Sequence, residues 1–332
     1  MGFGYLFLDE KVILLLYQKR GLVRNSTIMW FNKKPILALA PLAGYTDQPF
    51  CCVCREVSGE NFVIFREMVS AEAIVRGNKR TFQMCEFLAL ERPIVLQIFG
   101  VNSSAMARAA KILAEKFKPD GLDINMGCSV PKVVRQGAGA GLLKNIRLAQ
   151  EIVRSVKGAN LGIPISVKTR LGWTKDEEIL KFAPMLEKAG ADLISIHART
   201  ARQGFSGQAN WERIAKVKKI LKIPVVANGD IVSPETAKEC LKTTNANGLM
   251  IGRAAIGNPW IFSLISGKNF APNLKEKARV ILRHAELHEK FYGNLINFRP
   301  HLLAYFKGEP GARKKREKFV KITTLAELEK IL

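Results

Sequence analysis

One cysteine stands where a side chain can do chemistry. Cys128 lies in Asn125-Met126-Gly127-Cys128-Ser129, a glycine-flanked segment that follows a short apolar run, so its thiol is expected to be open rather than packed. An ordinary thiol is mostly protonated at neutral pH and can serve as an acid. The rival role, a nucleophile, needs a depressed pKa and a partnering His. No His lies near Cys128 in the chain, which weakens that reading without removing it. Further groups recur along the sequence: Pro41-Leu42-Ala43-Gly44, the amide of Gln97, the cations Lys168 and Arg170, the imidazole of His197, and the glycine turns Asn228-Gly229-Asp230 and Gly252-Arg253. Glycines in the last two let backbone N–H groups approach an anion, and an Arg adds a bidentate contact. Lys168 would stabilise an anionic reduced ring, and Gln97 offers both a donor and an acceptor to a ring edge. A phosphorylated flavin, FMN, suits this set better than a bare sugar phosphate. His197 reads equally well as a ring contact or as a satisfied structural group.

These residues need a scaffold that brings them to one face. From Pro35 onward, short β-branched runs alternate with longer helical patterns. Eight strands are expected, at Ile36–Ala40, Phe62–Phe65, Ile94–Ile98, Gly121–Asn125, Ile165–Lys168, Leu193–His197, Val225–Asn228 and Gly248–Ile251. All read as buried, as strands of a parallel sheet do. Helical stretches such as Ser103–Phe117, Asp176–Lys188, Trp211–Leu221 and Pro234–Leu241 lie between them. The expected class is α/β, a (β/α)8 TIM barrel followed by a small C-terminal helical domain. No G-x-G-x-x-G follows the first strand, so a doubly wound nucleotide-binding sheet loses its main support. In such a barrel the residues singled out above all fall at strand ends, where function gathers. Ser266–Asn273 reads as a linker. The expected division is an uncertain N-terminal extension over 1–28, the barrel over 29–268 and the helical domain over 269–332.

The bulk composition narrows the partners. The chain has 332 residues, 48% of them hydrophobic, and 52 Lys+Arg against 29 Asp+Glu leave a net charge of +23. That balance fits a polyanion such as RNA, DNA or an anionic membrane surface, or merely a lysine-rich composition; charge alone favours neither. The tail carries twice as many Lys and Arg as acidic residues, most densely at Arg313-Lys314-Lys315-Arg316. Six cysteines form no disulfide framework, which points to a reducing cytoplasm. Cys51-Cys52-Val53-Cys54 lacks a second C-x-x-C or a nearby His, so these thiols read as small hydrophobes on a packed helix face, and no metal is expected. No apolar run reaches the ~18–20 residues a bilayer needs, so no membrane span is expected. Residues 1–28 fit a secretory signal poorly, and Met29 is a candidate working start.

Ala40-Pro41-Leu42-Ala43-Gly44-Tyr45-Thr46-Asp47, Asn125-Met126-Gly127-Cys128, Val167-Lys168-Thr169-Arg170, His197-Ala198-Arg199-Thr200, Ala227-Asn228-Gly229-Asp230-Ile231 and Gly252-Arg253-Ala254 with Gly257-Asn258-Pro259-Trp260 resemble, in order and spacing, the tRNA-dihydrouridine synthases. The pattern is closest to the family's bacterial B-type branch. The resemblance covers Pro35 to Phe262 and continues more weakly through His301–Gly308. It implies an FMN-dependent NAD(P)H oxidoreductase that reduces the C5=C6 bond of particular tRNA uridines to 5,6-dihydrouridine, NADPH recharging the flavin. Hydride from reduced FMN reaches C6, and the enolate is protonated at C5 by Cys128. Pro41, Leu42, Ala43, Gln97, Lys168, His197, Asn228, Gly229, Asp230, Gly252 and Arg253 would surround FMN. Asn125 and Arg170 would face a uracil flipped from its stack. Lys132, Arg135 and the helical tail would contact the tRNA backbone. Ser129, Leu42, Ala198 and Cys51 depart from the family's usual Pro, Met, Gly and Arg without removing a reacting group. A monomeric, cytoplasmic enzyme is the resulting expectation. Two other readings stay open on the residues alone: a flavin barrel acting on a free small molecule, and an RNA-binding protein without chemistry.

Overall fold

The structure, a computed structural model, describes residues 30–332 except 33 and 309–311; residues 1–28 and the Met29 start lie outside them. Parallel strands β1 (Ile36–Leu39), β2 (Val63–Phe65), β4 (Ile94–Phe99), β5 (Gly121–Met126), β6 (Ile165–Arg170), β7 (Leu193–His197), β8 (Val225–Asn228) and β9 (Gly248–Ile251) pair in sequence order. β1 closes on β9, and β2 on β4, so these eight strands close into a barrel. A short β3 (Val69–Ser70) adds to the end of β4. The sequence reading missed it because Arg66-Glu67-Met68 interrupts what is otherwise one strand.

Helices follow the strands in turn: α1 (Gln48–Ser58), α2 (Ala71–Val75), α3 (Ser103–Phe117), α4 (Ile146–Gly158), α5 (Ile179–Lys188), α6 (Trp211–Ile220), α7 (Pro234–Thr244) and α8 (Ile261–Ile265). Their starts are chemically marked. Asn102, Asn145, Asn210 and Ser233 each accept a hydrogen bond from a backbone N–H of the first turn, which satisfies a donor the helix cannot. This is a TIM barrel.

Strand alternation divides the core in two. Leu122, Ile124, Val167, Ile194, Ile196, Ala227, Leu249 and Ile251 point outward and pack against the helices. Ile36, Ala38, Val63, Phe65, Val95, Leu193, Val226 and Met250 fill the barrel interior, with Phe31 and Trp30 packed against them. The Trp30 ring lies edge-on to Phe65 at 5.6 Å, and Gly121 has room for no side chain because a Cβ there would meet Trp30 Nε1 at 2.9 Å. Further along β4 to β8 the inward positions turn polar, at Gln97, Asp123, Ser166, Lys168, Ser195 and Asn228. The barrel is therefore apolar at its amino end and polar at its carboxyl end.

Beyond α8, the chain forms α9 (Leu274–Tyr292), α10 (Arg299–Tyr305), α11 (Ala312–Phe319) and α12 (Leu325–Glu329). Val280, Ile281, Phe298, Leu302, Phe306 and Phe319 make a second core that includes Val53 of α1 and Trp260 from the barrel. The seam is close: a Cβ on Gly257 would lie 2.4 Å from the Ala304 backbone. An Arg283–Glu56 ion pair at 3.0 Å crosses it. The side chains of Arg313, Lys314 and Lys315 lie outside the described residues. No helix among the described residues is long and apolar enough to cross a membrane.

Candidate active site

The expected site residues converge at the carboxyl ends of the strands. Register places Asn125 beside Lys168, Arg170 beside His197, and His197 beside Asn228. Pro41, Leu42 and Ala43 leave β1 in a tight turn in which Thr46 Oγ1 accepts the Leu42 N–H at 2.8 Å. Gly44, at φ +75°, donates its N–H to Glu67 Oε2 at 2.8 Å, so this turn is tied to the β2–β3 break. Lys132 and Arg135 are exposed on the segment after β5, on the same side of the barrel.

Cys128 is the half-buried exception among six free cysteines; the other five are buried. Cys51, Cys52 and Cys54 pack on α1 as small apolar groups, as their spacing implies. Burial raises the thiol of Cys51 well above its ordinary value, which makes it inert. The Cys128 loop is shaped from two sides. Asn125 Oδ1 accepts the N–H groups of Gly127 at 3.1 Å and Cys128 at 2.9 Å. The Cys128 carbonyl accepts the Ala140 N–H at 2.9 Å. Gly139, at φ +58°, is required there because a Cβ would meet that carbonyl at 2.7 Å. Asn125, expected to face a uracil, thus has its amide oxygen engaged by its own loop.

Lys168 Nζ donates to Asn228 Oδ1 at 3.3 Å, and Asn228 Nδ2 donates to the Met250 carbonyl at 2.6 Å, which decides the amide's orientation. Burial and the neighbouring Arg170 bring the Lys168 ammonium down to about 8. Arg170 spends three of its N–H groups on carbonyls, at Gly127 (2.8 Å), Thr200 (3.1 Å) and Gly204 (2.7 Å), and so straps the loops after β5 and β7 together. These bonds use Nε and Nη1 and leave Nη2 out of the strap. His197 is pushed down to about 2 by burial and by Lys168, Arg170, Arg199 and Arg253. The imidazole is therefore neutral, a hydrogen-bonding group rather than a charge.

Asp230 binds protein before it can bind anything else. Arg199 donates to both of its oxygens at 2.9 and 2.7 Å, and Ala209 N–H adds a third bond at 2.9 Å. Burial alone would raise this carboxyl; the Arg199 fork outweighs it and holds it low. Arg253 lies 3.6 Å from Asp230 and stacks over the exposed Phe205 ring at 4.6 Å. Gly229, at φ +117°, has no room for a side chain because a Cβ would meet His197 Cδ2 at 3.0 Å.

Sequence reasoning missed Asp123, Arg199 and Phe205. Asp123 had a readable signal, a carboxylate inside an apolar strand and in phase with Asn125. Arg199 and Phe205 had none, since their partners are brought close only by the fold. The sequence reading expected no metal; at the tail seam, Asp47, His284 and His301 bring ligand-type atoms within 4.8 Å of one another.

A flavin phosphate fits what this mouth offers. Four cations press on one imidazole, the nearby Asp230 is already neutralised by Arg199, and glycines stand in the turns after β8 and β9, where backbone N–H groups carry no side chain beside them. Comparison with known proteins decides the family. The dihydrouridine synthase (Dus) family model matches residues 38–332. The chain belongs to the dihydrouridine synthase family. A probable tRNA-dihydrouridine synthase of Aquifex aeolicus is 37% identical over 304 residues, 90% of this chain and 95% of that protein. One from Synechocystis is 39% identical over 87% of this chain and 82% of its own length. The tRNA-dihydrouridine synthase B of Pseudomonas syringae is 38% identical, covering 85% of this chain and 86% of its own. Among solved structures, histamine dehydrogenase from Rhizobium shares the fold with a TM-score of 0.54 at 14% identity, over 76% of this dihydrouridine synthase chain and 48% of its own. A 2-naphthoyl-CoA reductase aligns at TM-score 0.50 and 13% identity, over 69% of this chain and 49% of that one.

Proposed function

We propose that this dihydrouridine synthase reduces uridines of tRNA to 5,6-dihydrouridine, with FMN as cofactor, NADPH as reductant and Cys128 as the acid. The observation that carries the reading is the setting of Cys128, the cysteine left open at a cation-lined mouth in a chain that matches the family along 38–332. FMN, when bound, supplies the hydride chemistry at C6 of the base. Pro41, Leu42, Ala43, Gln97, Lys168, His197, Asn228, Gly229, Gly252 and Arg253 are the residues assigned to hold it, with Asp230 acting through Arg199 and Arg253. Cys128 Sγ holds the proton that goes to C5. Lys168 and the Nη2 end of Arg170 supply positive charge beside the base, where negative charge develops on its carbonyl oxygens. Asn125 contributes by shaping the Cys128 loop. Neutral His197 can donate or accept without adding to the field.

The substrate must leave its stack to reach a barrel mouth, so backbone contacts have to carry the binding. Lys132, Arg135 and the helical domain over 269–332 are assigned to that task, and the net charge of +23 supports it. We assign a monomer acting in the cytoplasm. Dihydrouridine measured by mass spectrometry in tRNA from a strain lacking this gene tests the reading. Loss at specific positions, restored by the gene, is the expected result. Unchanged levels without a compensating paralogue overturn it and favour a free small-molecule substrate.

A further inference from the structure

A buried carboxylate that the proposed reaction does not use sits two layers below the thiol. Asp123 is fully buried on the inner face of β5. Its Oδ1 accepts the Ser166 hydroxyl at 2.5 Å, and its Oδ2 accepts Gln97 Nε2 at 2.6 Å. Gln97 Oε1 in turn accepts Asn125 Nδ2 at 2.8 Å, and Asn125 Oδ1 accepts the backbone N–H groups of Gly127 and Cys128. The chain has a direction. A carboxylate only accepts, so Gln97 must present its NH2 group to Asp123 and its oxygen to Asn125. Asn125 must then present its NH2 group to Gln97 and its oxygen to the Cys128 loop. A neutral group at 123 able to donate would let both amides turn over, and Asn125 would aim an NH2 group at two N–H donors. Burial pushes the Asp123 carboxyl up to about 6, while its hydrogen bonds from Gln97 and Ser166 and the charge of Lys168 pull the other way. At neutral pH it is still the acceptor the chain requires.

We propose that Asp123 is a positioning residue that holds the Cys128 thiol at the barrel mouth through the oriented amides of Gln97 and Asn125. The inference rests on Cys128 being the acid of the proposed reaction, although the positional claim can be read without turnover. Asp123 does not touch substrate. It acts by removing the alternative orientation of two amides, and hence the alternative positions of the loop.

The test uses the full-length flavin-loaded enzyme and its Asp123→Asn variant, which keeps shape and removes the obligate acceptor. Iodoacetamide alkylation of Cys128, followed by mass spectrometry, reads the thiol directly because the other five cysteines are buried. The alkylation rate should change by about fivefold or more, roughly what one hydrogen bond is worth. Dihydrouridine formation should fall by about 10²-fold while flavin content and flavin reduction are kept. Combining Asp123→Asn with Gln97→Glu moves the carboxylate one place along the chain. The carboxylate placed at position 97 would accept from the amides at positions 123 and 125, so the direction is restored, and the alkylation rate should return toward the parent value. An Asp123→Asn enzyme that matches the parent in alkylation and turnover overturns the inference. A double variant no nearer the parent than the single one does so too. If Cys128→Ala still forms dihydrouridine, the acid role fails, and the alkylation comparison alone then decides the position of the thiol.

Discussion

Two regions of this molecule bury polar groups, and they treat them in opposite ways. At the barrel mouth two runs of buried polar side chains orient one another in series, from Ser166 and Asp123 to the Cys128 loop and from Met250 through Asn228 to Lys168, while the buried Ser195 hydroxyl stands outside both. At the seam between α1, α9 and α10, His284, His288 and His301 are all buried around Asp47. There His284 Nδ1 meets the Tyr305 hydroxyl at 3.2 Å and His288 Nδ1 the Asn294 carbonyl at 3.3 Å. His284 Nε2 and both nitrogens of His301 meet no hydrogen-bond partner among the described residues. The mouth spends its hydrogen bonds on fixing direction and keeps its positive charge for a ligand. The seam instead keeps His284 and His301 uncharged beside the Asp47 carboxylate and packs their rings edge-on, such as His284 against Phe298 at 4.9 Å. Burial of polar groups therefore marks function only where their orientation is determined.

The sharpest way to break this contrast is at the thiol. Cys128→Ala should lower dihydrouridine formation by about 10²–10⁴-fold, the range a positioned acid contributes. Flavin content and flavin reduction should stay near parental, because the proposed role of Cys128 is toward the uridine and not the flavin. Full turnover of tRNA by this variant would mean that the oriented chain serves something other than proton delivery.

Acid should act on the seam. Burial drives His284 well below its ordinary value, and it brings His301 down to about 4 despite the nearby Asp47 carboxylate. In the unfolded chain both take up a proton near 6.5, whereas in the folded chain they resist it. Folding stability from this pair is therefore present above 6.5 and is lost as pH falls toward 4. For His301 the loss amounts to about 3 kcal/mol across that window. Asp47 has the same sign but a lower window: burial would raise its carboxyl, but His288 and His301 hold it below the ordinary 3.8, so its contribution is kept down to that pH and lost only beneath it. Thermal unfolding measured between pH 7.5 and 4.5 should show Tm level down to about 6.5 and falling below it, more steeply in the parent than in His301→Gln. A flat Tm would show that the seam already tolerates protonated rings. Bound flavin should protect the mouth, whose His197 is held neutral by burial and by four cations, and leave the seam component unchanged.

How much of this was legible depended on whether a residue's partner is local. The eight strands declared themselves through runs such as Ile194–Ile196 and Val225–Ala227, because a parallel strand is buried on both faces and needs no partner to be recognised. The glycine turns at Gly229 and Gly252 were equally plain. What stayed hidden depends on contacts between distant segments. Arg199 reads as a solvated cation until β8 brings Asp230 beside it, and Arg170 reads as a substrate ligand until the loops at Gly127 and Gly204 close on it. Asp47 stood in the sequence only as the end of a family-like motif; it caps α1 through the Phe50 N–H at 3.1 Å and meets the histidines of α9 and α10. Asp123 fell between these cases, visible as an anomaly in its strand but mute about what it orients.

The smallest expected effect concerns the exposed charges, where neither orientation nor burial is at work. Lys132 sits on the rim beside the Cys128 loop and is exposed to solvent. If it contacts a tRNA phosphate, Lys132→Ala should weaken binding modestly and similarly for every tRNA. It should also reduce the slope of log K against log salt by ~1. Filter binding at several salt concentrations measures both. Arg170 makes the counter-case: three of its N–H groups strap loops together, so Arg170→Ala should impair turnover far more than binding and leave the salt slope nearly as it was. The two variants would thus separate charge used for attraction from charge used for architecture. A Lys132→Ala enzyme with an unchanged slope would move the RNA-binding face away from the rim and onto the helical tail.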